Sequence, residues 1–373
     1  MSRPLRRLAA CAASAAFAAL GLAVPTAQAS AEPAPTVNLA TNPGFEIPAL
    51  PLADWGAIPG WSCGAGEAVV STGQAHTGDS ALSVTPATGD STGECAQTVS
   101  VLPATTYTVS AWVRGAYVFL GATGTGHDVA PSWVENTGGQ WQRLTTSFTT
   151  GAGVSSVRLY LHGWYGQGPF AADDVRVDGP APAPAWATWN VPTTDNVVFF
   201  TIDDGWQRTP EAEQVIAAEK LPITAFPLPM PSGFEPDFFK RVTAVPGSSV
   251  QNHSVSHRDL STLPLAEQQA EICDARDAAA RVYGTPTTVF RPPYLAFNAD
   301  TLQAAANCGI RTVVTATADF SWGASNVWHG GPLQAGDVVL MHFTDTLAAD
   351  LQRALAAARA AGLRPAGLTE YLH

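Results

Sequence analysis

Four short segments of this 373-residue sequence carry metal-binding or proton-transferring side chains, three of them directly behind apolar runs. Ile202, Asp203, Asp204 and Gly205 follow the run from Val197 to Thr201. Adjacent carboxylates at the end of a buried strand are costly unless something uses them, although Asp-Asp-Gly is also ordinary turn composition. His253 and His257 stand at i and i+4, a spacing that puts both on one face of a helical turn and lets them chelate one ion; an exposed helix face produces the same spacing. Arg291-Pro292-Pro293-Tyr294 follows the run from Thr287 to Phe290, and its two prolines stiffen the exit. His342 closes the run from Asp337 to Met341. Each motif is weak alone, and together they describe one centre at the ends of several strands.

In order and spacing the four segments resemble the polysaccharide deacetylase family, carbohydrate esterase family four. Its signatures T-F-D-D-G, H-[ST]-x-x-H, R-P-P-Y and L-x-H are met by Thr201 to Gly205, His253 to His257, Arg291 to Tyr294, and Leu340 to His342. The resemblance covers residues 195–373. It implies a distorted (β/α)7 barrel with its site at the carboxyl ends of the strands. It further implies a metal-dependent hydrolase that removes acetyl groups from a polysaccharide, by N-deacetylation of an N-acetylglucosamine-containing glycan such as chitin or peptidoglycan. The same site can cleave O-acetyl esters of xylan. A catalytically impaired cell-wall or polysaccharide-binding protein is the reading from another class.

Within that resemblance Asp204, His253 and His257 are the ligands of Zn2+, or of Co2+ or Ni2+. Asp203 is the general base, with Arg291 holding its carboxylate. The Tyr294 N–H receives the developing oxyanion, with Pro293 beside it, and His342 protonates the leaving group. The family places a carboxylate and then an aromatic against this histidine through D-x-x-D-[WY]. Here the segment reads Ala318-Asp319-Phe320-Ser321-Trp322. Asp319 is the candidate partner, but alignment on Trp322 puts Ser321 at the carboxylate position. Trp206, Trp322, Trp328 and His329 fall in or near loops expected over the site, where indoles stack on sugars or pack over the loop.

The elements that must position this centre are parallel strands joined by helices. After residue 195, continuous apolar runs alternate with Ala/Glu-rich helical patterns, strongest over residues 209–220, 236–242, 265–283, 298–307 and 345–361. Residues 36–178 read differently, as short alternating segments separated by turns, which argues an antiparallel β-sandwich. Alternate prolines then make 179–194 a semi-rigid linker. The N-P-G-F-E segment at Asn42 to Glu46, together with Tyr107 to Val113 and Ala172 to Val175, resembles carbohydrate-binding modules of jelly-roll fold. The expected fold is therefore an all-β jelly-roll sandwich followed by an α/β barrel. The module resemblance makes Glu46 and Asp173 candidate ligands of a structural Ca2+. Trp133, Trp164, Tyr165 and Tyr117 are candidates for a sugar platform, while Trp112 and Trp141 read as core because each sits in an alternating strand.

Arg3, Arg6 and Arg7 precede an Ala-rich apolar stretch and the cleavage pattern Ala27-Gln28-Ala29, so residues 1–29 read as a signal peptide and the mature protein as extracellular. The net charge of −12, more negative still without those arginines, argues against nucleic acid or an anionic membrane as partner. A polysaccharide substrate and a monomer are expected. Four cysteines remain beyond the signal, and the connectivity that keeps each bridge inside its own domain is Cys63 with Cys95 and Cys273 with Cys308. No Cys-x-x-Cys pair supports a zinc-thiolate site.

Overall fold

The computed structural model describes residues 36–49 and 57–372; the signal peptide read at residues 1–29 lies outside them. In the first half, two antiparallel sheets enclose one core. One sheet runs Ala68–Thr72, Ser80–Val84, Phe170–Pro180, Thr106–Arg114, Gln142–Thr149, with Thr36–Asn38 also paired to Phe170–Pro180. The other runs Ser62–Cys63, Cys95–Ser100, Ser156–His162, Ala116–Thr123, Ser132–Asn136. Period-two alternation sends Tyr107, Val109, Ala111 and Val113 inward to meet Val118, Leu120, Leu159 and Leu161 from the facing sheet.

The same alternation turns Trp112 outward, which corrects its reading as core. It stacks on His76 at 3.9 Å on the outer face, and half-buried Trp141 meets that imidazole edge-on. Both expected disulfides form, closing loops of 32 and 35 residues. Each contributes roughly 3–4 kcal/mol in the loop-entropy account.

The second half is built on Val197–Asp204, buried at its first seven positions and flanked in parallel by Ile223–Pro227 and Val338–His342. Ser249–Val250 extends this sheet on one side and Ala318–Asp319 on the other. An isolated bridge from Asn252 to Phe290 continues it to Val289–Phe290, Thr312–Val314 and Trp186–Thr188, all parallel. Helices pack outside these strands. Pro210–Glu219 starts on a proline with Glu211 and Glu213 in its first turn, Leu265–Tyr283 ends at left-handed Gly284, and Ala299–Asn307 opens with a reciprocal Asn298/Thr301 capping box.

The span 179–194 is not wholly linker. One module strand runs to Pro180, and Trp186–Thr188 is a strand in register with Thr312–Val314, because its backbone completes the open edge of that sheet. The two halves also touch directly. Gln269 Nε2 donates to Thr41 Oγ1 at 2.7 Å, and the Asp274 carboxylate accepts the Gly60 N–H at 3.0 Å.

Candidate active site

Asp203 and Asp204 end the central strand. The backbone turns left-handed at Asp204 (φ 73°) and Gly205 (φ 92°), where a Cβ would lie 2.9 Å from the Phe239 ring, so the Asp-Asp-Gly glycine is required by space as well as by φ. Both carboxylates face the His253 ring. Its Nε2 is 3.8 Å from Asp203 Oδ2 and 3.4 Å from Asp204 Oδ1, and His257 Nε2 is also 3.4 Å from Asp204 Oδ1.

The histidine pair is not on a helix, contrary to the expectation from its i, i+4 spacing. Ser254 (φ 65°) and His257 (φ 58°) are left-handed, and the chain from Asn252 to Arg258 is an irregular loop. Its anchor is Glu271, fully buried on the Leu265–Tyr283 helix. Glu271 Oε2 accepts the N–H groups of Val255 at 3.0 Å and Ser256 at 2.9 Å, and Oε1 accepts the Ser256 hydroxyl. Asn252 Oδ1 takes the Ser254 N–H at 2.9 Å. Sequence reasoning missed Glu271, since a carboxylate inside a helical pattern carries no local sign of an anchoring role.

His253 Nδ1 is 2.7 Å from the Arg291 carbonyl, which can only accept, so Nδ1 carries the hydrogen and Nε2 is left facing the carboxylates. Burial works against charge on His253, but Asp203 and Asp204 outweigh it and raise its pKa: the site draws positive charge to Nε2, as a proton or as a metal ion. Burial likewise opposes charge on Asp204, and the nearby imidazoles of His253, His257 and His342 hold it below the usual carboxylate range.

His253 Nε2 and Asp204 Oδ1 are both buried without a hydrogen-bond partner. With an atom of His257 they lie within 4.8 Å of one another. Two imidazoles and one carboxylate with unsatisfied atoms converging on one point fit a divalent transition metal and leave a position open. The residues expected as ligands therefore come together.

Arg291 is fully buried. Its Nη1 lies 3.2 and 3.3 Å from the two oxygens of Asp203, Nη2 donates to Thr201 Oγ1 and the Thr315 carbonyl, and Nε to the Val314 carbonyl. Burial pulls the guanidinium pKa down, opposed by Asp203. Breaking such a pair leaves an uncompensated buried charge at a cost of about 3–5 kcal/mol. Pro293 is buried, and exposed Tyr294 (φ 57°) turns the exit so that its ring meets His257 edge-on at 4.8 Å.

His342 is in register with Asp203 across the sheet. Its Nδ1 is 2.8 Å from Ser321 Oγ, and its ring stacks on Trp322 at 4.5 Å. Asp319 is not its partner, which corrects the sequence expectation. The Asp319 carboxylate instead accepts the Ser321 N–H at 2.9 Å, because the chain turns immediately after this strand and brings the residue two positions later under the imidazole.

That turn, with Trp322 at φ 49°, is held from below by fully buried Asp350. Asp350 accepts the N–H groups of Trp322 and Gly323, each at 3.1 Å, and the Thr346 hydroxyl at 2.8 Å, and pairs with Arg353. Asp350 is a second positioning residue that sequence reasoning missed. Six of the twelve non-glycine residues with positive φ among the described residues (Asp204, Ser254, His257, Tyr294, Leu295 and Trp322) surround this centre, a concentration of strain found at functional sites.

Trp206 and Trp322 are exposed on loops at this end, and Phe234 and Phe297 are exposed on the segments that follow the Ile223–Pro227 and Val289–Phe290 strands. Trp328 and His329 are not here. Trp328 N–H donates to the Thr317 carbonyl and His329 Nε2 meets Asp337 at 3.0 Å, at the opposite, amino end of the same strands, because the Asn326–Val327 strand runs antiparallel and carries the chain back.

In the module, Glu46 and Asp173 converge on one loop, whose N–H groups occupy their oxygens. Glu46 Oε1 accepts from Asp79 and Ser80, and Asp173 Oδ2 from His76 and Thr77. Among the described residues neither carboxylate leaves a buried oxygen without a partner. Tyr117, Trp133, Trp164 and Tyr165 do share the outer face of the five-stranded sheet, where Trp133, Phe119 and His162 form a cross-strand ladder with ring spacings of 5.6 and 4.9 Å.

A family model described as polysaccharide deacetylase matches residues 190–313, across three of the four motifs that build this centre. The chain belongs to the polysaccharide deacetylase family. A second model, described as a carbohydrate binding domain, matches residues 37–170. An uncharacterized protein of Streptomyces coelicolor is 37% identical over 189 residues, 49% of this chain and 76% of that one. Exochitinase 1 of Streptomyces olivaceoviridis is 44% identical over 163 residues, which are 44% of this chain and only 25% of the exochitinase. A chitooligosaccharide deacetylase of Sinorhizobium fredii is 31% identical over 120 residues, 31% of this chain and 55% of that enzyme. The two family models fall one in each half of this polysaccharide deacetylase family member. Among the described residues no helix is long and apolar enough to cross a membrane.

Proposed function

We propose that this chain is an exported, metal-dependent hydrolase of acetyl groups on a glycan, acting as an N-deacetylase of N-acetylglucosamine-containing chitin or peptidoglycan. The observation that carries this reading is the pair of orphaned buried atoms, His253 Nε2 and Asp204 Oδ1, set beside a carboxylate already paired with a buried arginine. On this reading residues 36–178 are a jelly-roll module presenting aromatic rings to the polymer, and residues 195–373 a distorted (β/α)7 barrel. The family name and the named relatives that act on chitin or chitooligosaccharides support the substrate class.

Asp204, His253 and His257 would hold zinc, cobalt or nickel, which supplies a Lewis acid for the acetyl carbonyl and lowers the pKa of water. Asp203 takes the proton of the attacking water, and Arg291 keeps its carboxylate aimed and charge-balanced. The Tyr294 N–H stabilises the charge developing on the carbonyl oxygen. His342, whose Nδ1 is occupied by Ser321, presents Nε2 and delivers a proton to the departing nitrogen.

Acetate release should be measured from N-acetylchitooligosaccharides, peptidoglycan and acetylxylan before and after chelation. Release from either of the first two that stops on chelation and returns with zinc or cobalt is expected. Release from acetylxylan alone would reassign the substrate to O-acetyl esters, and no metal-dependent release from any of the three would sink the enzyme reading. One observation favours that last outcome: among the described residues no carboxylate forms an ion pair with His342, as suits a glycan-binding protein with impaired chemistry.

A further inference from the structure

A cavity of about 440 Å³ opens beside the amino end of the Val338–His342 strand, within the roughly 300–1,000 Å³ range of small-molecule sites. Its floor is Asp337, which directly precedes the strand ending in His342, so along that strand the cavity lies roughly 16 Å from the catalytic histidine. Trp189 and Trp328 line it with indoles 65% and 50% exposed. Three separate stretches build it: the exit of the Trp186–Thr188 strand, the exit of the Asn326–Val327 strand, and the return to Asp337.

The chemistry of the lining selects the occupant. No Lys or Arg is present, and the one imidazole, His329, is paired with Asp337, so the lining offers no unpaired cation to a phosphate or carboxylate. The one carboxylate, Asp337, is buried and already committed, accepting the Gln334 N–H at 2.6 Å and meeting His329 Nε2 at 3.0 Å. What remains is the pair of neutral Asn190 and Gln334 amides beside two indoles. Neutral donors and acceptors next to an aromatic face suit a ligand with an apolar C–H face and a rim of hydroxyls or acetamides.

We propose that this cavity is a second saccharide-binding site, which holds one or two pyranose units of a neutral β-linked glycan away from the catalytic centre, beside the amino end of the Val338–His342 strand. It rests on the glycan-directed reading of the chain but not on its catalysis. A polymer held there is tethered independently of the module, which raises the local concentration of acetylated units around the reacting end.

The test is calorimetric titration of the full chain with N-acetylchitohexaose, and in a second arm with xylohexaose, in a Trp133→Ala/Trp164→Ala background that removes the exposed indoles of the module. Adding Trp189→Ala and Trp328→Ala should abolish one class of sites or weaken it about tenfold or more, with melting temperature unchanged and Trp328→Phe retaining binding. The rate of acetate release from a disaccharide, too short to span both ends, should not change. Titrations that keep the same stoichiometry and affinity after both substitutions, or binding of neither sugar in the background chain, would refute the site. If no substrate releases acetate yet the substitutions still abolish binding, the enzyme reading falls and this site stands.

Discussion

Asp350 touches nothing that reacts, yet its replacement should slow the reaction. Its carboxylate takes the N–H groups of Trp322 and Gly323 and the Thr346 hydroxyl, and pairs with Arg353. In Asp350→Ala the two N–H groups of an exposed turn lose their buried, charged acceptor, at about 1–3 kcal/mol each. The Arg353 partner is one-third exposed and rehydrates, so it adds little. A destabilisation of about 2–5 kcal/mol follows from these contributions. The turn, strained at Trp322, then loses the contact that holds its left-handed conformation, and the indole stacked on His342 shifts with it. Misplacement of a proton donor by about 1 Å costs on the order of a hundredfold, so kcat should fall ten- to a hundredfold while KM for a short substrate holds. Denaturant unfolding gives the stability and steady-state acetate release the rates. Lost stability with an unchanged kcat would show that the turn is structural only and refute the positioning argument; Asp350→Glu, which keeps the charge, should recover part of kcat.

The other predictions concern the ligands, their anchor and the contact between the halves. His253→Ala should lose bound metal and activity together, whereas Asp203→Asn should keep metal by elemental analysis and lose at least about a hundredfold in kcat; normal turnover in Asp203→Asn overturns the base assignment. Glu271→Ala frees the Val255 and Ser256 N–H groups, so metal affinity in a competition titration should drop ten- to a hundredfold, and an unchanged affinity would show that the loop holds itself. Burial, opposed by the Gly60 N–H, pushes the Asp274 carboxyl from 3.8 up to about 7, with Asp277 adding to the rise and Arg276 and Arg281 opposing it. Between those values the folded state binds more protons than the unfolded one, so this group's stabilisation is full below pH 3.8 and is lost as pH rises through about 7. Melting curves of Asp274→Asn should lack that part of the pH slope, and a slope equal to the parent's would exclude Asp274 as its source.

Three of the four catalytic motifs were legible because each sits behind an apolar run, and an apolar run between polar turns announces a buried strand whatever lies around it. Asp203, Asp204, Arg291 and His342 were therefore placed at strand ends from sequence alone, and the cysteine pairing followed from the boundary between two kinds of pattern. Trp112 shows the limit of that approach: alternation says that a residue faces one side, and only the partner sheet decides which side is core.

Tertiary structure alone decided how the side chains meet. The spacing of His253 and His257 suits a helix, but Glu271, on another element, takes the loop's N–H groups and holds left-handed residues that no local preference would choose. Asp319 has the right chemistry to serve His342, and Ser321 has the place, because the turn between them is set by Asp350 from a helix about thirty residues on. Composition and apolar periodicity are properties of neighbours along the chain, so they fix strands, charge and export signals. Backbone strain and the donors that sustain it come from distant segments, and those govern which atom faces which.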